Sequence, residues 1–282
     1  MQETLKKLRD SLIPIYGKGE TEAIIRIIFH YLKGWSLTDM LIHSDEELSP
    51  YIIKEIDRIL DRLLNFEPIQ YITGEARFHG MEFMVTPDVL IPRPETDELV
   101  DLIIDEYKDI EDLSVLDICS GSGCIAISLA RNLPFSDVDG VEISPAAITV
   151  AEENSKRLKT KVKFIEEDIF AWRTSKKYDI IVSNPPYIAL SEAKDMERNV
   201  TDFEPHSALF VPDEDPLLFY SRIVEIALSS LKSGGKLFLE INPRFSNELK
   251  NLLIEQGFEN VNIVKDSSAK ERFIECSYRI SQ

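Results

Sequence analysis

Residues 178–188 read Tyr178-Asp179-Ile180-Ile181-Val182-Ser183-Asn184-Pro185-Pro186-Tyr187-Ile188. The run up to Val182 is short, mostly apolar and β-branched, the pattern of a strand covered on both faces. Two consecutive prolines donate no ladder hydrogen bonds and force an extended turn, so the strand stops at Asn184. One amide side chain, two constrained carbonyls and one aromatic ring are thereby set at a strand tip. In open α/β sheets ligands bind beyond the carboxyl ends of the strands, which makes this tip the first candidate for chemistry.

Outward from it the chain alternates. Helices are expected over 95–107, 123–132, 216–231 and 248–256, with another opening at Ser144-Pro145. Gly234-Gly235 is expected to cap the third of these helices. Strands are expected over 115–119, up to Glu142, over 162–165, 179–183 and 237–241, then over 261–265 and 272–278. Such alternation means a doubly wound, mostly parallel sheet. The gap between the last two strands is too short for a crossover helix, so the seventh must run antiparallel. Upstream, Leu5, Leu8 and Leu12, then Ile24, Ile27, Ile28, Tyr31 and Leu32, and then Ile52, Ile56, Ile59, Leu60, Leu63 and Leu64 form helical stripes. Ser49-Pro50 opens the last of these helices. We therefore expect a helical domain over 1–69, a β-hairpin about His79-Gly80 with a proline-rich linker over 70–94, and a catalytic domain over 95–282.

The protein has 282 residues, 44% of them hydrophobic and 29% charged, as in ordinary globular proteins. No apolar run reaches membrane-spanning length and the N-terminus carries mixed charge, so a cytoplasmic protein without a membrane partner is expected. Cys119, Cys124 and Cys276 have neither disulfide-framework nor metal-ligand spacing, and no metal is expected. The 32 basic and 50 acidic residues leave a net charge of −18, which argues against a nucleic-acid partner.

Two further stretches carry chemistry. Asp117-Ile118-Cys119-Ser120-Gly121-Ser122-Gly123 turns from strand to helix, letting backbone approach a ligand and aiming helix amides at it. The next strand ends in Glu142, 19 positions after Gly123, the spacing at which a carboxylate reaches ribose hydroxyls. Asp168, with Ile169 and Phe170 beside it, suits an adenine amino group and ring, although an acidic residue there also suits a helix N-cap. The dinucleotide glycine pattern is incomplete, with Cys119 and Ala126 where a pyrophosphate cradle would want glycine. A phosphate-free adenosyl group fits better, and the antiparallel seventh strand is typical of Rossmann-like S-adenosylmethionine-dependent methyltransferases.

Taken with Gln70-Tyr71-Ile72-x-Gly74, Phe78-x-Gly80, Leu90-Ile-Pro-Arg93-Pro-Glu95-Thr96, the Asp117–Gly123 loop, Asn184-Pro-Pro-Tyr187-Ile188 and Glu204-Pro-His206-x-Ala208-Leu-Phe210, the chain resembles the HemK/PrmC family. Its members are protein-(glutamine N5) methyltransferases acting on peptide chain release factors. The motifs run in order from about residue 70 to the C-terminus. The resemblance implies a class I methyltransferase sheet of seven strands, the last antiparallel, with a small N-terminal helical domain that docks substrate. It implies S-adenosyl-L-methionine as cofactor, S-adenosyl-L-homocysteine as product and methylation of the glutamine of the Gly-Gly-Gln motif, in support of translation termination. Asn184, Pro185 and Tyr187 would be catalytic, and these three with Pro186, Arg93 and Glu95 would bind substrate. Asp117, Cys119, Ser120, Gly121, Ser122, Gly123, Glu142, Ile143, Asp168, Ile169, Phe170 and Asn184 would bind cofactor. The chain departs from the family at Cys119 and Ala269, where glycine is usual, and at Glu142, where aspartate is usual. Cys119 is expected to alter the loop geometry without abolishing binding. The late Asp266…Arg272 pair is kept.

A primary amide nitrogen is a weak nucleophile because its lone pair is delocalised. Two acceptors aimed at its N–H bonds, the Asn184 side-chain oxygen and the Pro185 carbonyl, would orient it, while Tyr187 would cover the planar amide. His206 is more simply a surface or substrate-loop residue than a base. Residues 189–203 are charged and aperiodic, suited either to a substrate groove or to a surface loop. The alternative is methylation of an exocyclic base amine, adenine N6 or guanine N2, which the same tip geometry serves but the acidic balance opposes. An NAD-dependent oxidoreductase is disfavoured by the incomplete glycine pattern, and a non-catalytic adenosyl-binding module by the presence of Asn184 and Tyr187.

Overall fold

The structure, a computed structural model, describes residues 1–279, so the last three residues of the expected catalytic segment, 280–282, lie outside it. Contacts divide the chain into two compact units: residues 1–75 with 197–203, and residues 76–196 with the chain from Glu204 onward.

The first unit is helical: α1 (Gln2–Lys33), broken at Gly17, then α2 (Leu37–Ile42), α3 (Pro50–Leu64) and α4 (Ile69–Thr73). The Ser49 hydroxyl accepts the Ile52 N–H at 3.3 Å and Pro50 takes the first helical position, as the sequence suggests. Leu5, Leu8, Leu12, Ile24, Ile28, Ile52, Ile56, Ile59, Leu60 and Leu63 form one core. Ile25 and Phe29 join it, whereas Tyr31 and Leu64, placed on the same stripes by periodicity, are exposed at 51% and 39%. A real helix buries only the arc its partners reach.

The second unit opens with the expected hairpin, β1 (Glu75–Phe78) and β2 (Met81–Met84), turning at His79 and Gly80. There follow α5 (Pro94–Tyr107), β3 (Ser114–Ile118), α6 (Cys124–Asn132), β4 (Asp137–Glu142), α7 (Pro145–Arg157), β5 (Val162–Glu166) and β6 (Tyr178–Ser183). A short parallel pair, β7 (Ile188–Ala189) and β8 (Phe210–Val211), belongs to this unit with the 3-10 turn that follows β7, whereas α8 (Arg198–Thr201) belongs to the first unit. The chain closes with α9 (Leu218–Ser230), β9 (Leu231–Glu240), α10 (Ser246–Glu255), β10 (Glu259–Lys265) and β11 (Glu271–Ser277).

The main sheet has seven strands in the order β10-β11-β9-β6-β3-β4-β5, with β6 at its centre. β11 lies between β10 and β9 and is antiparallel to both, while the pairs from β9 to β5 are parallel. Alternation along the strands sorts side chains to two faces. Leu116, Ile118 and Ile181 pack with α9 and α10, whereas Val115, Ile180 and Val182 pack with α5 and α6.

Gly234-Gly235 is not a helix cap. Helix α9 ends at Ser230, and the chain is already strand at Leu231, which pairs with Tyr178. The glycines sit where the β6–β9 register slips between Tyr178 and Ile180. There Gly234 donates to the Tyr278 carbonyl at 2.7 Å and Gly235 accepts from the Tyr278 N–H at 3.0 Å. Sheet pairing satisfies the backbone that a cap would have served, with Gly234 at φ 86° supplying the left-handed step.

Candidate active site

The register of the sheet builds the site. Ile118 of β3 pairs with Ser183 of β6 and Val141 of β4, and Ser183 pairs in turn with Leu239 of β9. The next residue of each strand, Glu142, Cys119, Asn184 and Glu240, therefore forms one row along the carboxyl edge. These four residues are far apart in sequence, and parallel pairing alone makes them neighbours. Cys119, Glu142 and Asn184 border a cavity of about 270 Å³ whose walls also include Arg93, Thr96 and Gly121, while Glu240 is buried and does not line it.

Beside the glycine loop, Glu142 is held by backbone donors. Its Oε2 accepts from Gly121 N–H at 2.9 Å, and its Oε1 from Ile143 and Ser144 N–H at 2.9 and 3.0 Å. Asp117 lies behind the loop rather than on the cavity: fully buried, it accepts the Ala126 N–H at 3.1 Å through Oδ2, near the start of α6, while Oδ1 has no partner among the described residues. Burial pushes its carboxyl well above the usual range. Gly123 is also behind the wall. With φ at 77°, a Cβ there would lie 2.9 Å from the Phe164 ring. Cys119 adopts φ 61°, a left-handed backbone that glycine takes without strain. Burial raises both thiols that line the cavity, Cys119 well above its ordinary value and Cys124 to about 12. Asp168 lines the cavity and its carboxylate accepts from Phe170 N–H at 2.9 Å, a turn bond rather than an α-helix cap.

At the tip of β6, Asn184 Nδ2 donates to Thr96 Oγ1 at 3.1 Å, and the Thr96 hydroxyl donates to Glu240 Oε2 at 2.6 Å. The Tyr187 hydroxyl donates to Glu240 Oε1 at 2.9 Å, and Asn242 Nδ2 holds the Tyr187 carbonyl at 3.1 Å. Asn184 and Pro186 line the cavity, whereas Pro185 and Tyr187 do not. Arg93 is an ion-pair partner of buried Glu204 at 2.6 Å, and the second Glu204 oxygen accepts the Ile91 N–H at 3.1 Å. This pair fastens the proline-rich stretch beside the cavity. Glu95 does not line the cavity, although its charge bears on Glu240. His206 is exposed, its ring edge-on to Phe210 at 5.2 Å.

Sequence motifs alone assign no role to Thr96, Glu204 or Glu240. Thr96 and Glu204 lie inside the quoted motifs, and Glu240 is an acid ending an otherwise apolar run, a signal carried by the amino-acid pattern itself. What that signal lacks is a partner.

Residues 83–202 match the family model of the methyltransferase small domain, and residues 3–74 match that of the PrmC N-terminal domain. A release factor glutamine methyltransferase of Bacteroides thetaiotaomicron is 45% identical over 269 residues, covering 95% of this chain and 96% of its own. One from Flavobacterium psychrophilum is 40% identical over 276 residues, covering 95% and 96%. The chain belongs to the release factor glutamine methyltransferase family.

A solved methyltransferase from Pyrococcus furiosus shares the fold, with a TM-score of 0.54 at 17% identity over 79% of this chain and 100% of that one. Members of the release factor glutamine methyltransferase family use S-adenosylmethionine, and the cavity of this protein fits that group. Ser120 Oγ is buried on the cavity wall without a hydrogen-bond partner among the described residues. Ile143 and Phe170, both lining, leave apolar surface exposed at 58% and 40%. An adenosyl group offers hydroxyls and amines for the first and an aromatic ring for the second pair. Glu142, Ser120, Ile143, Asp168 and Phe170 would hold it. No helix among the described residues is long and apolar enough to cross a membrane.

Proposed function

We propose that this release factor glutamine methyltransferase methylates the side-chain N5 of the glutamine in the Gly-Gly-Gln motif of peptide chain release factors, and that Asn184 orients the reacting amide. The observation that carries the reading is the Asn184 side chain. It stands at the tip of the central strand, on the same cavity as Glu142, with its NH2 engaged by Thr96. Its oxygen is left to accept an N–H from an incoming amide; the Pro185 carbonyl, limited in swing by the ring, is the second acceptor of this reading, although Pro185 stands outside the cavity lining.

S-adenosylmethionine supplies an electrophilic methyl carbon on a sulfonium sulfur. The protein's part is orientation in a water-poor site. Two acceptors on the two N–H bonds turn the nitrogen out of amide planarity, and proximity then contributes most of the acceleration. Tyr187 and Asn242 clamp the Pro-Pro turn so that these acceptors stay in place. No strong base is needed, since the methylated nitrogen loses its proton to water afterwards. That suits a cavity whose thiols are held protonated by burial.

The test follows labelled methyl into release factor, its Gly-Gly-Gln glutamine variant, and bulk RNA and DNA. Label in the unmodified factor alone supports the reading; label only in nucleic acid overturns it. Asn184→Ala should abolish turnover, at least about 100-fold in kcat, while cofactor affinity stays within about threefold.

A further inference from the structure

An asparagine side chain has two unlike ends, an oxygen that only accepts and an NH2 that only donates. Which end opens on the cavity decides whether Asn184 can receive the N–H of a primary amide. Asn184 does not settle this by itself; its neighbours do.

The chain of bonds runs from Asn184 Nδ2 to Thr96 Oγ1 at 3.1 Å and from Thr96 to Glu240 Oε2 at 2.6 Å. Thr96 and Glu240 are 2% and 1% exposed, so water does not substitute for either partner. A hydroxyl carries one proton. Burial raises the Glu240 carboxyl, while the Thr96 and Tyr187 hydroxyls and the Arg272 charge favour its ionised form; facing that carboxylate, which offers no proton, Thr96 directs its own to Glu240. Only a lone pair then remains toward Asn184, and only the NH2 end can meet it. The other carboxylate oxygen is taken by the Tyr187 hydroxyl at 2.9 Å, so Glu240 receives a donor on each side. Polarity is imposed at Glu240 and read out at Asn184, two bonds away.

We propose that Glu240 is a positioning residue that, through the Thr96 hydroxyl, holds Asn184 with its carbonyl oxygen toward the cavity. The proposal rests on the reading of Asn184 as the acceptor for the substrate amide. A neutral side chain at 240 loses this control. Gln can donate to Thr96, turn the hydroxyl proton toward Asn184 and favour the flipped amide, which presents NH2 to NH2 across the cavity.

The experiment measures kcat, the release factor KM and the cofactor dissociation constant for Thr96→Ser, Thr96→Val, Glu240→Gln and the Thr96→Val/Glu240→Gln double variant. Thr96→Ser keeps the hydroxyl and should stay within about threefold of the parent kcat, whereas Thr96→Val and Glu240→Gln should each lose about tenfold or more. The cofactor dissociation constant and release factor KM should move by less than about twofold in both. Because the two residues act in one chain, the double variant should lose less than the product of the single losses. Near-parental kcat in Thr96→Val, losses that multiply, or a parallel loss of cofactor affinity would each overturn the proposal. If Thr96→Val fails to fold, the nearly isosteric Glu240→Gln carries the comparison against Thr96→Ser. Asn184→Ala separates the two readings. Retained turnover in that variant defeats the role of Asn184 itself, whereas lost turnover beside an unaffected Thr96→Val defeats only the positioning role.

Discussion

Cys119 and Ala269 each hold a backbone angle that side chains avoid, φ 61° and φ 63°. Both stand where the family usually has glycine, the residue that takes such angles freely, so this chain carries a strain of typically about 1–2 kcal/mol per residue. Ala269 is exposed and packs against little, so Ala269→Gly should stabilise the protein by about 1 kcal/mol in urea unfolding. Cys119 also packs against the core beside Ile118, and Cys119→Gly should gain less because that contact is lost. Gly123 is the converse case, with φ 77° and a hypothetical Cβ 2.9 Å from Phe164 and 3.2 Å from Ala151. Gly123→Ala should destabilise by about 2–3 kcal/mol and weaken cofactor binding, measurable together by calorimetry.

At the scale of elements, Asn154 on α7 ties three pieces together. Its Oδ1 accepts the Met84 N–H at 2.7 Å, and its Nδ2 donates to the Met84 and Ser122 carbonyls, each at 3.0 Å. A wholly buried amide with all these bonds joins the hairpin to the glycine loop. Asn154→Ala would orphan one donor and two acceptors, so a cost of about 3 kcal/mol is expected, with faster hydrogen exchange at the Met84 amide. The turn from β10 to β11 is fixed by Asp266, whose carboxylate accepts from the Lys270 and Ser268 N–H groups and pairs with Arg272 at 3.1 Å. The Lys270 bond and Arg272 hold its carboxyl below the ordinary value of 3.8. A depressed folded-state pKa adds stability that is present above the unfolded value and lost as pH falls through the folded one. Asp266→Asn should therefore be less stable than the parent at neutral pH, and the gap should close in acid, as followed by thermal unfolding.

The whole molecule carries −18 charges over 282 residues, so its compact state is under self-repulsion. Raising salt from about 0.01 M to about 0.15 M shortens the screening length from about 30 Å to about 8 Å. The melting temperature should rise by about 2–4 °C, equivalent to about 1 kcal/mol. A fall would mean that ion pairs such as Lys176 with Asp137 and Asp139, both at 2.8 Å, outweigh the repulsion.

The proline pair after Val182, the glycine turn after Asp117 and the short gap before Arg272 were enough to read the class of sheet, its antiparallel last strand and the tip where Asn184 stands. These are local effects: a missing donor, a missing Cβ and a crossover that does not fit. Where periodicity alone was the guide, as at Tyr31 and Leu64, the sequence named the helix but not the arc of it that is covered. Gly234-Gly235 has a helix-cap pattern, and only the slip in the β6–β9 register turned it into part of a strand. The row Glu142, Cys119, Asn184 and Glu240, like the bonds from Asn184 through Thr96 to Glu240, depends on which strands lie side by side and at what register. Strand order is fixed by packing of the whole sheet between its two helical layers, and no stretch of sequence contains that information by itself.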